Sequence, residues 1–168
     1  MRRLVHSIDG INEWVGNIVK WGTLLLTGVV IFEVVMRYAF NMPTIWVHET
    51  GVYLFGIMWA LGGGITLLKG SMVNMEVFYV RFSTRGRAII DICTVIFSVG
   101  FIAIVLWKSG ITGWESLFRL ERSGTAWNAP YWPLRIALPI GAFLLLLQLI
   151  SKLIKDIYLV LGRESNER

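Results

Sequence analysis

The sequence predicts an all-α integral membrane protein, with four transmembrane helices and further amphipathic segments at the membrane interface. Three observations lead there. Of the 168 residues, 55% are hydrophobic and 16% charged, whereas a soluble domain carries about 25% charged residues. Four runs are apolar for roughly 20 residues, the length a helix needs to cross about 30 Å of hydrocarbon. The charges flank those runs instead of spreading evenly. The formal net charge of +5, which in a soluble protein suggests nucleic acid, therefore reads as membrane topology, and no nucleic-acid partner is expected. Eight Trp and nine Phe argue against a disordered chain.

The spans are expected at about 21–40, 46–68, 88–107 and 132–150, in one four-helix domain covering residues 1–168. The first starts late and lacks a small-residue cleavage site, so it is not expected to be a cleaved signal peptide. The segment before it, about 4–19, is amphipathic, with Val5, Ile8, Ile11, Val15 and Ile18 at helical spacing. Spans one and two are joined by only a few residues, so they form an antiparallel hairpin. The connection at 70–87 holds Met72, Val73, Met75, Val77, Phe78, Val80 and Phe82 among polar residues. That suits a segment lying on the headgroups, or one docking another subunit. Span three is expected to continue outward through Trp114, Leu117 and Phe118, until Ser123, Gly124 and Thr125 break it. Trp127, Pro130, Tyr131, Trp132 and Pro133 then form an interfacial aromatic belt. This outer stretch is either a membrane-surface anchor or a platform for an outside partner. Span four should extend as an amphipathic helix through Leu153, Ile154 and Ile157, ahead of a polar close, GRESNER.

Loop charge gives the orientation. With both termini cytoplasmic, eleven Lys and Arg lie inside and five outside, which favours that arrangement. Glu33 and Arg37 are four apart on one helix face, and Glu49 opens span two just across the turn. The expectation is a structural clamp in which Arg37 bridges both carboxylates, because an unpaired charge within a span is unfavourable. Asp91 can pair with Arg87 in the same way.

No catalytic constellation is present. The histidines, His6 and His48, sit near helix ends; the single Cys93 has neither a base nor ligand spacing; and no HExxH, GxSxG, P-loop or CxxC occurs. No enzyme activity, cofactor or metal site is expected. Ser98 and Ser109 read as residues bonded to their own helix backbone. Gly51, Gly56 and the triplet Gly62–Gly64 read as close-packing positions, as do Gly100, Gly110 and Gly113 on helix three. The residues alone leave open a membrane anchor of a respiratory complex or a small homo-oligomeric channel. Haem is disfavoured because neither histidine lies at mid-membrane depth.

The stretch VVMRYAFNMPTIWVHETGVYLFGIMWALGG resembles the small membrane (DctQ-type) subunit of tripartite ATP-independent periplasmic (TRAP) transporters. Arg37, Tyr38, Phe40, Asn41, Pro43, Trp46 and Glu49 fill the family's pattern around the first hairpin. After span two, Gly70, Val73 and Glu76 match, while Met72 stands where the family tends to show His. Ser123, Pro130, Trp132, Pro139 and Gly141 are similar to the second outer motif. The resemblance implies a multi-pass protein of the bacterial inner membrane. It also implies a scaffold for a large multi-span permease subunit that moves organic acid and sodium by an elevator motion. Typical substrates are C4-dicarboxylates or sialic acid, delivered by a periplasmic substrate-binding protein. Sodium is expected on the large subunit, and membrane lipid around the aromatic belts. Arg119, Glu121 and Arg122 become candidate contacts for the periplasmic partner.

Overall fold

The computed structural model describes residues 2–70 and 84–160. It is all-helical: α1 (Arg2–Tyr38), α2 (Trp46–Leu68), α3 (Thr84–Phe118) and α4 (Trp132–Val160). All four contain stretches long and apolar enough to cross a membrane: Val5–Tyr38, Trp46–Leu68, Cys93–Phe118 and Trp132–Lys155. The connection expected to lie on the headgroups or dock a subunit, with Met72–Glu76 of the family pattern, lies outside the described residues. So do GRESNER and the side chains of Arg87 and Asp91.

Three helices are longer than a bilayer requires. At 1.5 Å per residue α1 is about 55 Å long, α3 about 52 Å and α4 about 44 Å. The amphipathic start and the first span are one continuous helix. Span three runs out to Phe118, and span four continues into the amphipathic tail.

Each end has a local cause. α2 stops at Gly70, whose φ of +63° suits a residue without a Cβ. α3 ends in a Schellman motif. The Glu121 N–H donates to the Ser116 carbonyl at 3.0 Å and the Leu120 N–H to Leu117 at 3.1 Å. Leu120 takes the left-handed position, φ +46°, at a cost of about 1–2 kcal/mol for a residue with a Cβ.

α4 is the hub. It packs along α2 and α3 and meets α1 over a shorter stretch, while α1 packs on α2. Of α4's spanning window 39% is buried, against none of α1's. Glycines set the spacing. A Cβ on Gly141 would fall on the Ala60 carbonyl of α2, and one on Gly64 would fall on the Asn12 amide oxygen of α1. One on Gly113 would lie 2.9 Å from the Arg135 carbonyl. That carbonyl stands four residues before Pro139, which has no N–H to offer it, and α3 covers it there. The packing expectation thus holds tightly for Gly56, Gly64 and Gly113, and as ordinary contact for Gly51, Gly62 and Gly63. At Gly100, on the exposed side of α3, and at half-buried Gly110 an added Cβ would meet nothing within 4 Å, so the packing expectation fails at both.

The amphipathic start of α1 turns part of its apolar stripe outward. Ile11 and Ile18 are 48% and 51% exposed, while Asn12 between them is 1% exposed. In lipid, large apolar side chains can face outward, and small or polar ones mark the helix contact. The same holds on α3, where Phe97, Phe101, Ile104, Trp107, Ile111, Trp114 and Phe118 face outward, opposite buried Val95, Ser109, Gly113 and Ser116.

Candidate functional site

Polar side chains gather at the two ends of the helices. The first group is the outer rim, where α1 meets α2 and α3 meets α4. Glu33 is its first centre. Arg37 donates from Nη2 and Nε to Glu33 Oε1 at 2.5 and 3.0 Å. Thr44, in the short connection, donates to Glu33 Oε2 through its hydroxyl and through its backbone N–H at 3.2 Å. Glu33 therefore holds both its own helix and the turn. Asn41, at φ +57°, lets that turn close; asparagine tolerates this conformation better than most residues.

Glu49 is the second centre, and Arg37 does not reach it. Tyr53 donates its hydroxyl to Glu49 Oε1 at 2.7 Å, and Thr125 donates to Oε2 at 2.6 Å. The three-residue clamp expected from the sequence thus divides in two. Both Glu49 oxygens are taken by hydroxyls, one from Tyr53 a turn along α2 and one from Thr125 in the segment between α3 and α4, while the Arg37 guanidinium lies back along its own helix over Glu33. Of the remaining family-pattern residues, Tyr38 and Phe40 are exposed large apolar groups, and Trp46 stacks at 5.9 Å on Phe32 of α1. Asn41 and Pro43 shape the turn.

The segment between α3 and α4 is a small hairpin. Ser123 N–H donates to the Ala129 carbonyl at 2.9 Å and Tyr131 N–H to Glu121 at 2.8 Å. Glu121 pairs with Arg135 at 3.1 Å, and the Arg135 guanidinium sits 5.1 Å from the Tyr131 ring centre. Arg122 donates to the Asn128 carbonyl at 3.2 Å. Of the three candidate contacts, Arg119 and Arg122 are exposed, while Glu121 is half-buried by its pairing. Beneath the hairpin lies a cleft of about 620 Å³, walled by His48, Glu49, Tyr53, Trp127 and Tyr131.

The second group escaped the sequence reading altogether. At the opposite end, Asn12 donates to Gln148 Oε1 at 2.9 Å and to the Ile8 carbonyl at 3.1 Å. Gln148 donates to Asp9 Oδ1 at 2.9 Å and Ser151 donates to the same oxygen at 3.2 Å. Lys155 pairs with Asp9 Oδ2 at 2.7 Å. Asn12, Gln148 and Ser151 are at most 2% exposed. By helix rise, Gln148 lies about 24 Å below Trp132, near the far edge of the hydrocarbon. The overlooked signal was spacing: Asp9 and Asn12 are three apart, and Gln148, Ser151 and Lys155 are three and four apart, each set on one helix face.

Among the described residues no cluster of His, Cys, Asp and Glu is placed to hold a metal ion. His6 and His48 lie at opposite ends of the antiparallel α1–α2 pair. Ser98 and Ser109 bond to carbonyls of the preceding turn. Most polar groups at the two ends bond to one another (the buried Asn12 Oδ1 and Ser116 Oγ have no partner among the described residues), glycines set the helix spacing, and large apolar side chains face outward. That defines a multi-pass helical membrane subunit built for packing.

The chain belongs to the DctQ component of the tripartite ATP-independent periplasmic transporters, whose family model it matches over residues 26–158. No curated protein matches the chain. The family is a transporter component and not an enzyme, so the respiratory-anchor and channel alternatives fall away. Membership implies the large membrane component and a periplasmic binding protein as partners in general.

Proposed function

We propose that this chain is the stationary scaffold of a sodium-coupled elevator transporter for organic acids, of the kind that carries C4-dicarboxylates or sialic acid. It sits in the bacterial inner membrane with both termini cytoplasmic. The large permease subunit carries substrate and sodium. The single observation that carries this reading is the distribution of polarity. Polar side chains cluster at the helix ends, while the outward faces of α1, α2 and α3 present rows of large apolar residues such as Trp59, Phe101 and Trp107. Such surfaces suit lipid and another membrane protein. A moving domain must push against an anchored one, and helices of about 44–55 Å with interfacial ends provide that anchor.

The outer hairpin, with exposed Arg119 and Arg122 beside the paired Glu121, is the surface for the periplasmic binding protein. The Glu33–Arg37–Thr44 cluster closes the first hairpin and so fixes the rim from which the outer surface projects.

Co-purification from the native membrane tests the scaffold. A large multi-span permease should accompany the chain, and recovery with a flavoprotein or an iron–sulfur protein instead would overturn the reading. A reporter fused after Arg122 should read periplasmic. A cytoplasmic reading reverses the orientation.

A further inference from the structure

The tip of the outer hairpin has little to hold it. Thr125, Ala126, Trp127 and Asn128 are all exposed, and the space beneath them is the open cleft. The base of the hairpin is well fixed by Glu121 on Arg135, by the paired backbone and by buried Ala129. Between tip and base the chain passes through two left-handed residues, Gly124 at φ +67° and Asn128 at +53°. Packing therefore does not decide where the tip sits. Side-chain bonds to Glu49 do: the Thr125 hydroxyl on Glu49 Oε2, which crosses 76 residues of sequence, with the Ser123 hydroxyl beside it acting on the same carboxylate. Both ends of the Thr125 bond are themselves oriented. Ser123 Oγ lies 2.8 Å from Thr125 Oγ1, and Tyr53 holds the other Glu49 oxygen while its ring packs on Tyr131 at 5.6 Å.

We propose that Glu49 is the positioning residue of the outer hairpin: by accepting the Thr125 hydroxyl it fixes the tip over the start of α2, and with it the Asn128 carbonyl to which Arg122 donates, so that the Arg122 guanidinium, beside Arg119 at the end of α3, faces the periplasmic partner in one orientation. The inference rests on the hairpin being the partner's docking surface. Glu49 need not touch the partner. It reduces the number of arrangements from which docking must select, and a partner that binds one arrangement binds more weakly when that arrangement is a fraction of the population. A bond from a hydroxyl to a charged acceptor is stronger than a neutral one, which suits a tether with no packing behind it.

The test uses the complex of this chain with its large subunit in lipid nanodiscs, and the cognate binding protein, fluorescently labelled, as purified from cells. In a Cys93→Ser background, spin labels on Ala126→Cys and Thr66→Cys report the position of the tip against α2. Thr125→Val should broaden that distance distribution and raise the half-saturating concentration of binding protein by roughly three- to tenfold, the range for one lost hydrogen bond. Thr125→Ser keeps the hydroxyl and should restore both. An unchanged distribution in Thr125→Val overturns the tether. Charge reversal, Arg119→Glu with Arg122→Glu, tests the docking surface separately. If reversal weakens binding but a broadened Thr125→Val hairpin binds normally, the tether exists without a positioning role and the proposal fails. If reversal leaves binding unchanged, the docking surface itself is wrong and the proposal falls with it, whatever the labels show.

Discussion

Asn12 and Glu49 both bond across the fold to a residue far along the chain, Gln148 for one and Thr125 for the other. Their settings differ. Asn12 is 1% exposed, wedged where α2 has only Gly64 to offer, and its partner is equally buried. Glu49 is half-buried on the wall of an open cleft and its partner is exposed. The first bond joins two helices whose relative position is also fixed by packing. The second joins a loop to a helix and has little packing behind it. Buried polar contacts along α4 therefore govern whether the helices assemble. Exposed ones on the rim govern how the loops are presented.

The comparison breaks most directly at the seam between α2 and α4. A methyl group on Gly141 has nowhere to go but into the Ala60 carbonyl, and backbone cannot give way as a flexible side chain can. Gly141→Ala should destabilise the purified chain by about 1–3 kcal/mol, the usual range for overpacking, and Gly141→Leu should prevent its accumulation. Thermal unfolding in detergent measures the first and membrane yield the second. A Gly141→Ala protein as stable as the parent would mean that α2 and α4 are not in contact there.

Next comes the buried cluster itself. Asn12→Leu leaves Gln148 Oε1 without its donor, and intramembrane hydrogen bonds are worth roughly 0.6 kcal/mol on average and at most about 1.7. A loss within that range is expected, read from unfolding in mixed micelles. The double variant Asn12→Leu with Gln148→Leu should lose less than the two single losses added together. The first replacement has already removed the bond, and the second removes the orphaned group. Strict additivity would show that the two side chains act independently. No comparable stability loss is expected for Thr125→Val on the rim, where the readout is the spread of loop positions.

How far these regions were legible in the sequence follows from the same contrast. Helix number and approximate span follow from apolar length, because only helices of that length satisfy the backbone in hydrocarbon. Which face turns inward does not follow. Ile11 and Ile18 look like core to a rule made for water, yet they face out, because lipid welcomes them as well as protein does. Asn12, Gln148 and Ser151 carry the inward face, and a search for polar residues at helical spacing finds them. Gly100 and Gly113 are alike as letters; only the position of α4 separates them. On the rim, charge and spacing revealed the Glu33–Arg37 pair. Tyr53 stands one turn from Glu49 on the same helix, but the Thr125 partner stayed hidden because it lies 76 residues away in a loop whose course depends on Leu120, Gly124 and Asn128 adopting left-handed conformations.

Within the rim, Glu33 and Arg37 separate by what each one touches. Arg37 contacts one residue of its own helix, and its side chain is 52% exposed. Exposed pairs of that kind contribute little. Glu33 also accepts from the Thr44 hydroxyl and backbone N–H, so its removal frees the turn between α1 and α2 as well. Glu33→Ala should therefore lower the amount of assembled complex in the membrane more than Arg37→Ala does, and Arg37→Ala should be a mild variant. Quantitative blotting of the complex in native membranes ranks the two. If Arg37→Ala proved the more damaging, the guanidinium would have a partner beyond Glu33, and the large subunit's surface against this corner would be the place to find it.

The smallest effect is expected where the chain has a glycine and no neighbour. Gly100 lies on the outward side of α3 with nothing within 4 Å of an added Cβ. A helix-interior glycine is less favourable than alanine by roughly 0.5–1 kcal/mol, so Gly100→Ala should be neutral or slightly stabilising in the isolated chain. The same substitution in the assembled complex is the more informative measurement. Lipid yields to a methyl group, and a closely packed protein surface does not. If Gly100→Ala is harmless to the isolated chain yet reduces recovery of the complex, this face of α3 lies against the large subunit. If it is harmless in both, the face lies against lipid, and the scaffold must meet its partner through α1 or α2.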